Sequence, residues 1–370
     1  MIWQEIDEEE RSLFKARFLE LFNFAVFPFY WRRYERTPGR PEWQDVLPTL
    51  AWSKANHITT KGHPLVWTAE AGIPEWLPDY PETWHKELLK ARVFNTVVGF
   101  RGEIDIWDVV NEFIHLSTWA YKHVEQRAHT TEEVADFVEE PLHWAHEANP
   151  EATLVLNEFD LIPNKDTFKA FDTPPRDRFL AVIRELKRRN APLHALGIQA
   201  HEPRDAWYAP DMVWETFDQL GELGYPLQVT EFTPRSSGNA ITGGWRTGMW
   251  TEEAQADYTE QMLRLSFGHP DVVCFNFWGM PDAYAWLSDG GLVDEDYRPK
   301  PVYRRIKKLV RDEWMTRLKL QTDADGIVDF RGFYGHYDVT VKSGIHQAIF
   351  EADLMPGKQA VWTRHLGSEA

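Results

Sequence analysis

The chain has 370 residues, 43% of them hydrophobic and 26% charged, which is ordinary globular usage and excludes a disordered or fibrous protein. A formal charge of −18 repels phosphate backbones and anionic lipid, so nucleic-acid and membrane partners are not expected. One cysteine, Cys274, excludes an internal disulfide framework and a Cys-based zinc site.

Helical and strand patterns alternate along the chain. Glu8–Glu20 reads as a helix and Leu21–Tyr30 as a strand, then Glu42–Asn56 as a helix and His57–Trp67 as a strand. Next come helix Glu82–Gly99 with strand Ile104–Glu112, and helix Thr131–Ala148 with strand Thr153–Phe159. Helix Pro175–Asn190 precedes strand His194–His201, helix Asp211–Leu223 precedes strand Leu227–Phe232, and helix Glu252–Phe267 precedes strand Val272–Trp278. A last helix is expected over Lys300–Leu318. Thr131, with Glu133 close behind it, reads as a capped helix start. The strands are near-continuous apolar runs, as in a parallel sheet buried on both faces. This alternation predicts the α/β class and a (β/α)8 TIM-type barrel.

Only MIWQEID stands ahead of the first helix, so the first barrel strand is expected to be very short or absent. A barrel without it leaves two open edges. The C-terminal segment, or a second copy of the chain in a homo-oligomer, is the expected cover. Beyond Lys319, Ile327–Phe333, His336–Lys342, Gln347–Glu351 and Gln359–Arg364 read as short strands punctuated by glycines. Two domains follow: the barrel over 1–318 and a small all-β module over 319–370. Aromatics in the module, including Phe330, Tyr337 and Trp362, fit core filling better than sugar binding.

In a parallel barrel the site lies at the C-terminal ends of the strands. The polar and aromatic residues there are His63, Trp67, Asn111, Glu112, Asn157, Glu158, Gln199, His201, Glu231 and Trp278. Glu112 and Glu231 end different strands. Two carboxylates beside aromatic rings are what glycoside hydrolysis needs, one to protonate the leaving oxygen and one to meet the oxocarbenium-like centre. From pattern alone, two structural ion pairs explain these glutamates equally well. His143 and His146 sit three apart on a helix beside Glu147 but lack a third ligand, so no metal site is expected. Arg32 and Arg33 read as ordinary loop arginines in preference to a clamp for a uronic acid substituent.

WDVVNE (Trp107–Glu112) and QVTEF (Gln228–Phe232) resemble the acid/base and nucleophile segments of glycoside hydrolase family 10, the endo-β-1,4-xylanase family. KGHPLVW (Lys61–Trp67), GIQAH (Gly197–His201) and FWGMPDAYAW (Phe277–Trp286) are similar to its third, sixth and eighth strand segments, in family order. The resemblance implies Glu112 as general acid/base and Glu231 as nucleophile. It implies His63, Asn111 and Gln199 as contacts to sugar hydroxyls, and Trp67, Trp278 and Trp286 as aromatic walls. It also implies that His201 lies beside the nucleophile and holds it ionised. The activity implied is retaining, endo-acting cleavage of β-1,4-xylosidic bonds in xylan or xylo-oligosaccharides. The carboxyl groups would stand about 5–5.5 Å apart, with the acid/base carrying the higher pKa. No organic cofactor or metal is implied, the partner is a xylan-type polysaccharide or oligosaccharide, and a polymeric substrate implies action outside the cell.

The chain departs from the family at the second strand. Members carry Glu-Asn-x-x-Lys-Trp there; this chain has Phe27, Pro28, Phe29, Tyr30, Trp31 and Arg32. Thr68 stands where a histidine follows the third-strand tryptophan. Lost donors to sugar hydroxyls cost a few kcal/mol of binding. Two alternatives therefore stand beside the xylanase reading: the same mechanism on another β-glycoside, and a weakly active or inactive carbohydrate-binding barrel.

Overall fold

A computed structural model describes residues 6–115, 129–165, 173–201, 204–358 and 360–366. The chain divides into two compact units, Met1–Ile306 and Lys307–Ala370.

The first unit alternates helices and parallel strands. Its elements are α1 (Glu8–Leu21), β1 (Phe24–Pro28), α2 (Leu47–Ala55), β2 (Thr59–His63), β3 (Val66–Trp67), α3 (Glu82–Gly99) and β4 (Ile106–Asn111). They continue as α4 (Thr131–Ala148), β5 (Thr153–Glu158), α5 (Pro175–Arg188), β6 (Ala195–Ile198), α6 (Pro210–Gly221), β7 (Leu227–Phe232), α7 (Glu252–Gly268) and β8 (Val272–Phe277). α8 (Pro301–Lys308) ends the series. The helix starts follow from capping chemistry. The Asp7 side chain accepts the Glu10 N–H ahead of α1, whose first turn is acidic. Thr130 and Glu133 form a capping box on α4, placing the cap one residue earlier than the sequence pattern suggests.

The sheet runs β1-β2-β4-β5-β6-β7-β8, with β3 also on β4. This is a (β/α)8-type barrel whose wall stays open between β1 and β8 among the described residues. Most of the segment ahead of Glu8 that could hold a first strand lies outside the described residues. Aromatic side chains crowd the opening instead. Phe22 stands 5.9 Å from Phe277 of β8, and Phe18 of α1 stands 5.7 Å from Trp52 of α2, ring centre to ring centre. A cavity of about 400 Å³ runs between β1 and β8, from these rings up to Tyr30, Trp278 and Trp286.

Three sequence expectations need correction. The run His57–Trp67 is two strand segments, because Pro64 offers no N–H; bonding to β4 resumes at the Leu65 N–H and paired residues at Val66. Gly62 lies in the first segment, where an added Cβ would overlap the Trp107 ring. The last helix stops at Lys308 and passes into a π-helical turn, Leu309–Glu313, since its buried apolar stripe ends at Leu309. Among the described residues of the C-terminal unit, only β9 (Gly335–Ser343) and β10 (His346–Leu354) form strands, as an antiparallel hairpin. The stretch 327–333 is not a strand because side chains take its backbone donors. Asp323 accepts the Ile327 N–H and Thr316 accepts the Phe333 N–H. Residues 360–364 are likewise unpaired in any sheet, and Gln359 lies outside the described residues. Phe330, Tyr337 and Trp362 gather their rings 5.9–6.3 Å apart, filling the space beside the hairpin.

Candidate active site

Every strand of the barrel delivers its last residues to one end, and side chains from five of them interlock there. Asn157 of β5 donates its amide to Glu231 of β7 at 2.6 Å and to Asn111 of β4 at 2.8 Å. Thr230 fixes that amide's orientation by donating to its oxygen at 2.6 Å. Gln199, just beyond β6, donates to the Asn111 oxygen at 3.2 Å and to Glu112 at 3.1 Å. Trp67 of β3 donates its indole N–H to the other Glu112 oxygen at 2.7 Å. Two carboxyl groups on different strands thus hang from one chain of neutral amides.

Glu231 is buried, and Glu112 is partly exposed to the cleft. Burial is the largest influence on each and raises both pKa values. Glu231 stands well above the usual range, through burial first and then the charges of Glu112 and Asp108. Glu112 is raised by burial and then by Glu158. The sequence expectation gave the higher value to Glu112 alone. The structure raises both instead, with Glu231 well above its ordinary value.

Beneath the pair lies a fully buried ion cluster. Lys61 Nζ is 2.7 Å from Asp108, and His63 Nδ1 is 2.8 Å from the other Asp108 oxygen. Lys61 also donates to Gln228 at 2.9 Å. Burial alone would raise the Asp108 pKa; Lys61 and His63 outweigh it and hold the carboxyl below the usual range. The far nitrogen of His63 points toward Glu231 at 4.0 Å. Around this stand rings edge-on to one another. Tyr30 is 5.5 Å from both His63 and Trp67, and Trp278 is 5.1 Å from His63. Trp286, half exposed, is 5.0 Å from His201, with Arg204 over its ring at 4.8 Å.

All nine residues given roles by the family resemblance lie in this cleft, but His201 does not act as expected. Its Nε2 meets Gln199 at 2.7 Å rather than Glu231. Burial, then Arg204, pushes its pKa down to about 3, so the ring is neutral and lends the nucleophile candidate no charge. The anchor on Glu231 is Asn157. Sequence reading passed over Lys61, Asp108, Tyr30 and Thr230. A lysine and an aspartate inside apolar strand runs were the available signal, since such groups are buried only when paired. Arg32 is occupied by Glu75 at 2.5 Å and the Glu70 carbonyl at 3.1 Å. Cys274 on β8 has its thiol raised to about 11 by burial, which keeps it protonated.

Gly197 tests the amide chain. It pairs with Asn157 across β5 and β6, and an added Cβ would overlap the Asn157 side-chain oxygen. Gly197→Ala is expected to displace the donor on Glu231 and cut kcat/KM by about 100-fold, the cost of a misplacement near 1 Å. The unfolding midpoint should fall only modestly. Steady-state kinetics beside a thermal melt checks this, and an unaltered rate would show that Asn157 need not hold its place.

The family model for glycosyl hydrolase family 10 matches residues 28–309. The chain belongs to glycosyl hydrolase family 10. Among family 10 relatives, it is 27% identical over 340 residues to endo-1,4-beta-xylanase 1 of Arabidopsis thaliana, an alignment covering 91% of this chain and 32% of that protein. It is 28% identical to endo-1,4-beta-xylanase B of Thermotoga neapolitana, covering 76% of this chain and 82% of that one. The chain thus spans about a third of the length of the plant relatives it matches. Among solved structures, xylanase 10B from Thermotoga petrophila RKU-1 in complex with xylobiose superposes with a TM-score of 0.66 at 23% identity, covering 84% of this chain and 91% of that one. At that identity the match speaks for the barrel fold.

Proposed function

We propose that this family 10 protein is a retaining endo-β-1,4-xylanase, with Glu231 as nucleophile and Glu112 as general acid/base. The observation that carries the reading is the pair itself: two carboxyls at the same end of the barrel, Glu112 just past β4 and Glu231 in β7, held by neutral amides and walled by Trp67 and Trp278. The curated relatives named xylanases support the substrate class.

The steps are those of retaining hydrolysis by two carboxyl groups. Glu231 attacks the anomeric carbon as the glycosidic C–O bond breaks, and Glu112 gives its proton to the leaving oxygen. The product is a glycosyl ester on Glu231. Esterification removes that carboxylate's charge, so the Glu112 pKa falls and Glu112 becomes the base that deprotonates the attacking water. Water opens the ester, and the second inversion restores the original configuration. Asn157 holds Glu231 aimed at the sugar. Tyr30, His63 and Trp278 form the floor and wall on the glycone side, and His63 has an Nε2 available for a hydroxyl. A polymeric substrate places the reaction outside the cell in this reading.

A second reading keeps the mechanism and changes the sugar. It is favoured by the end of β1, where Phe27, Pro28 and Tyr30 present rings and no amide or charged group. The test is proton NMR of products formed from xylan, xylo-oligosaccharides and other aryl β-glycosides. Oligosaccharides released from xylan with β-configured new ends support the proposal. An initial α-anomer would sink the retaining mechanism. Turnover confined to non-xylose glycosides would move the assignment to the second reading.

A further inference from the structure

Glu112 sits just past β4 with φ +57, a left-handed conformation that costs a non-glycine residue about 1 kcal/mol or more unless its surroundings impose it. What imposes it lies behind the cleft. Glu158, at the end of β5, is wholly buried. One of its oxygens accepts the Ile114 N–H at 2.9 Å; the other meets the Phe159 N–H at 3.0 Å and His115 Nδ1 at 3.1 Å. Both Glu158 oxygens are thus engaged by the turn and the strand end behind Glu112. His115 is stacked on Phe159 at 4.1 Å, and its own N–H returns to the Glu112 carbonyl at 3.2 Å. The turn Phe113–His115 is therefore stapled to β5 through one side chain.

We propose that Glu158 is the positioning residue of the acid/base: it anchors the turn that carries Glu112 and fixes the charge that Glu112 meets from behind. This rests on the retaining-glycosidase reading of the same site. Glu158 and His115 act on Glu112 in opposite senses. The carboxylate disfavours ionisation of Glu112 and the imidazolium favours it, with Glu158 the stronger of the two. Burial opposes the charge on His115, but Glu158, Asp160 and Glu112 together raise its pKa, so the ring keeps its proton more readily than a free histidine. The other ionisable groups around Glu112, among the described residues, are Glu231 on β7, Tyr30 beyond β1, and Asp108, Lys61 and His63 beneath the pair. His201 lies behind Gln199, and Arg178 of α5 donates to the Ile114 carbonyl at 3.4 Å.

The consequence is a pair of opposite shifts. Glu112 must be protonated to act as acid, so activity is lost as pH rises through its pKa. Glu158→Gln should move the alkaline limb of the kcat/KM profile on aryl β-xylobioside to lower pH, by about half a unit or more. His115→Asn, which leaves Glu158 uncompensated, should move it to higher pH. A merely structural role would lower both rates without displacing the limbs in opposite directions. Carboxyl carbon-13 NMR, with the Glu112 signal identified by its loss in Glu112→Gln, follows the same titration without turnover. Opposite displacements in that titration support the inference even if no β-glycoside is cleaved, which would overturn the function proposal alone. Active variants with unmoved limbs, or shifts of one sign in both, overturn the inference.

Discussion

Glu231→Ala is expected to lower kcat on an aryl β-xylobioside by on the order of 10⁴-fold or more, since no covalent intermediate can then form. The fold should not suffer. Glu231 is 5% exposed, and burial, then Glu112 and Asp108, raises its pKa well above the ordinary value. A carboxyl whose folded pKa is raised loses stability as pH climbs from its unfolded value of about 4.3 through the folded one, so at neutral pH the group opposes folding. Removing it should leave the unfolding midpoint unchanged or higher at pH 7, the usual sign of a site that trades stability for activity. A small anion such as azide can enter the vacated space and attack the anomeric carbon from the side Glu231 occupied. The rescued product should then be an α-glycosyl azide. In Glu112→Ala the intact nucleophile still forms the ester and azide opens it, so the rescued product should be β. Wild-type turnover in Glu231→Ala, or a β product from it, would refute the assignment of roles.

Asp108→Asn is expected to be the most destabilising single change in the site. Asp108, Lys61 and His63 are all withdrawn from water, with Lys61 and His63 at 2.7 and 2.8 Å from the two Asp108 oxygens. Neutralising the aspartate leaves the Lys61 charge buried without its partner, which costs about 3–5 kcal/mol. For a unit of this size that lowers the midpoint by on the order of 10 °C. A double change, Lys61→Met with Asp108→Leu, removes both charges and should recover much of the loss, because desolvating an ion pair consumes most of its attraction. The pH dependence has a definite sign. Asp108 has its folded pKa below the unfolded value of about 3.9. Its contribution is fully present above that value and fades as pH falls through the folded one. The gap between wild type and Asp108→Asn in urea unfolding should thus be constant from about pH 5 upward and narrow below about pH 4. A gap that widened in acid would show that Asp108 is not held ionised by Lys61 and His63.

The barrel was legible because its signals are local. An apolar run bounded by turns, followed by an amphipathic helix, repeats along the chain, and α3, α4 and β7 fall on the residues the pattern named. The misplaced elements are those whose partner decides. Residues 327–333 alternate like a strand, but Asp323 and Thr316 take their N–H groups before any edge can.

The site divides along the same line. That Glu112, Glu231, Asn111 and Gln199 stand at strand ends follows from strand length and direction, which sequence encodes. That Glu231 hangs from Asn157, that His201 turns to Gln199, and that Glu158 reaches back to the turn behind Glu112 do not. Each joins residues from different βα units, so the register of neighbouring strands sets which side chains face each other. Protonation belongs to the same class, because a carboxyl's pKa depends on the burial and charges that closure of the fold brings around it. The alternating architecture and the residue types at the mouth of the barrel are written in local patterns of the chain. The Lys61–Asp108–His63 cluster and the partner of each glutamate came from the folded barrel alone, because they depend on which strands lie side by side.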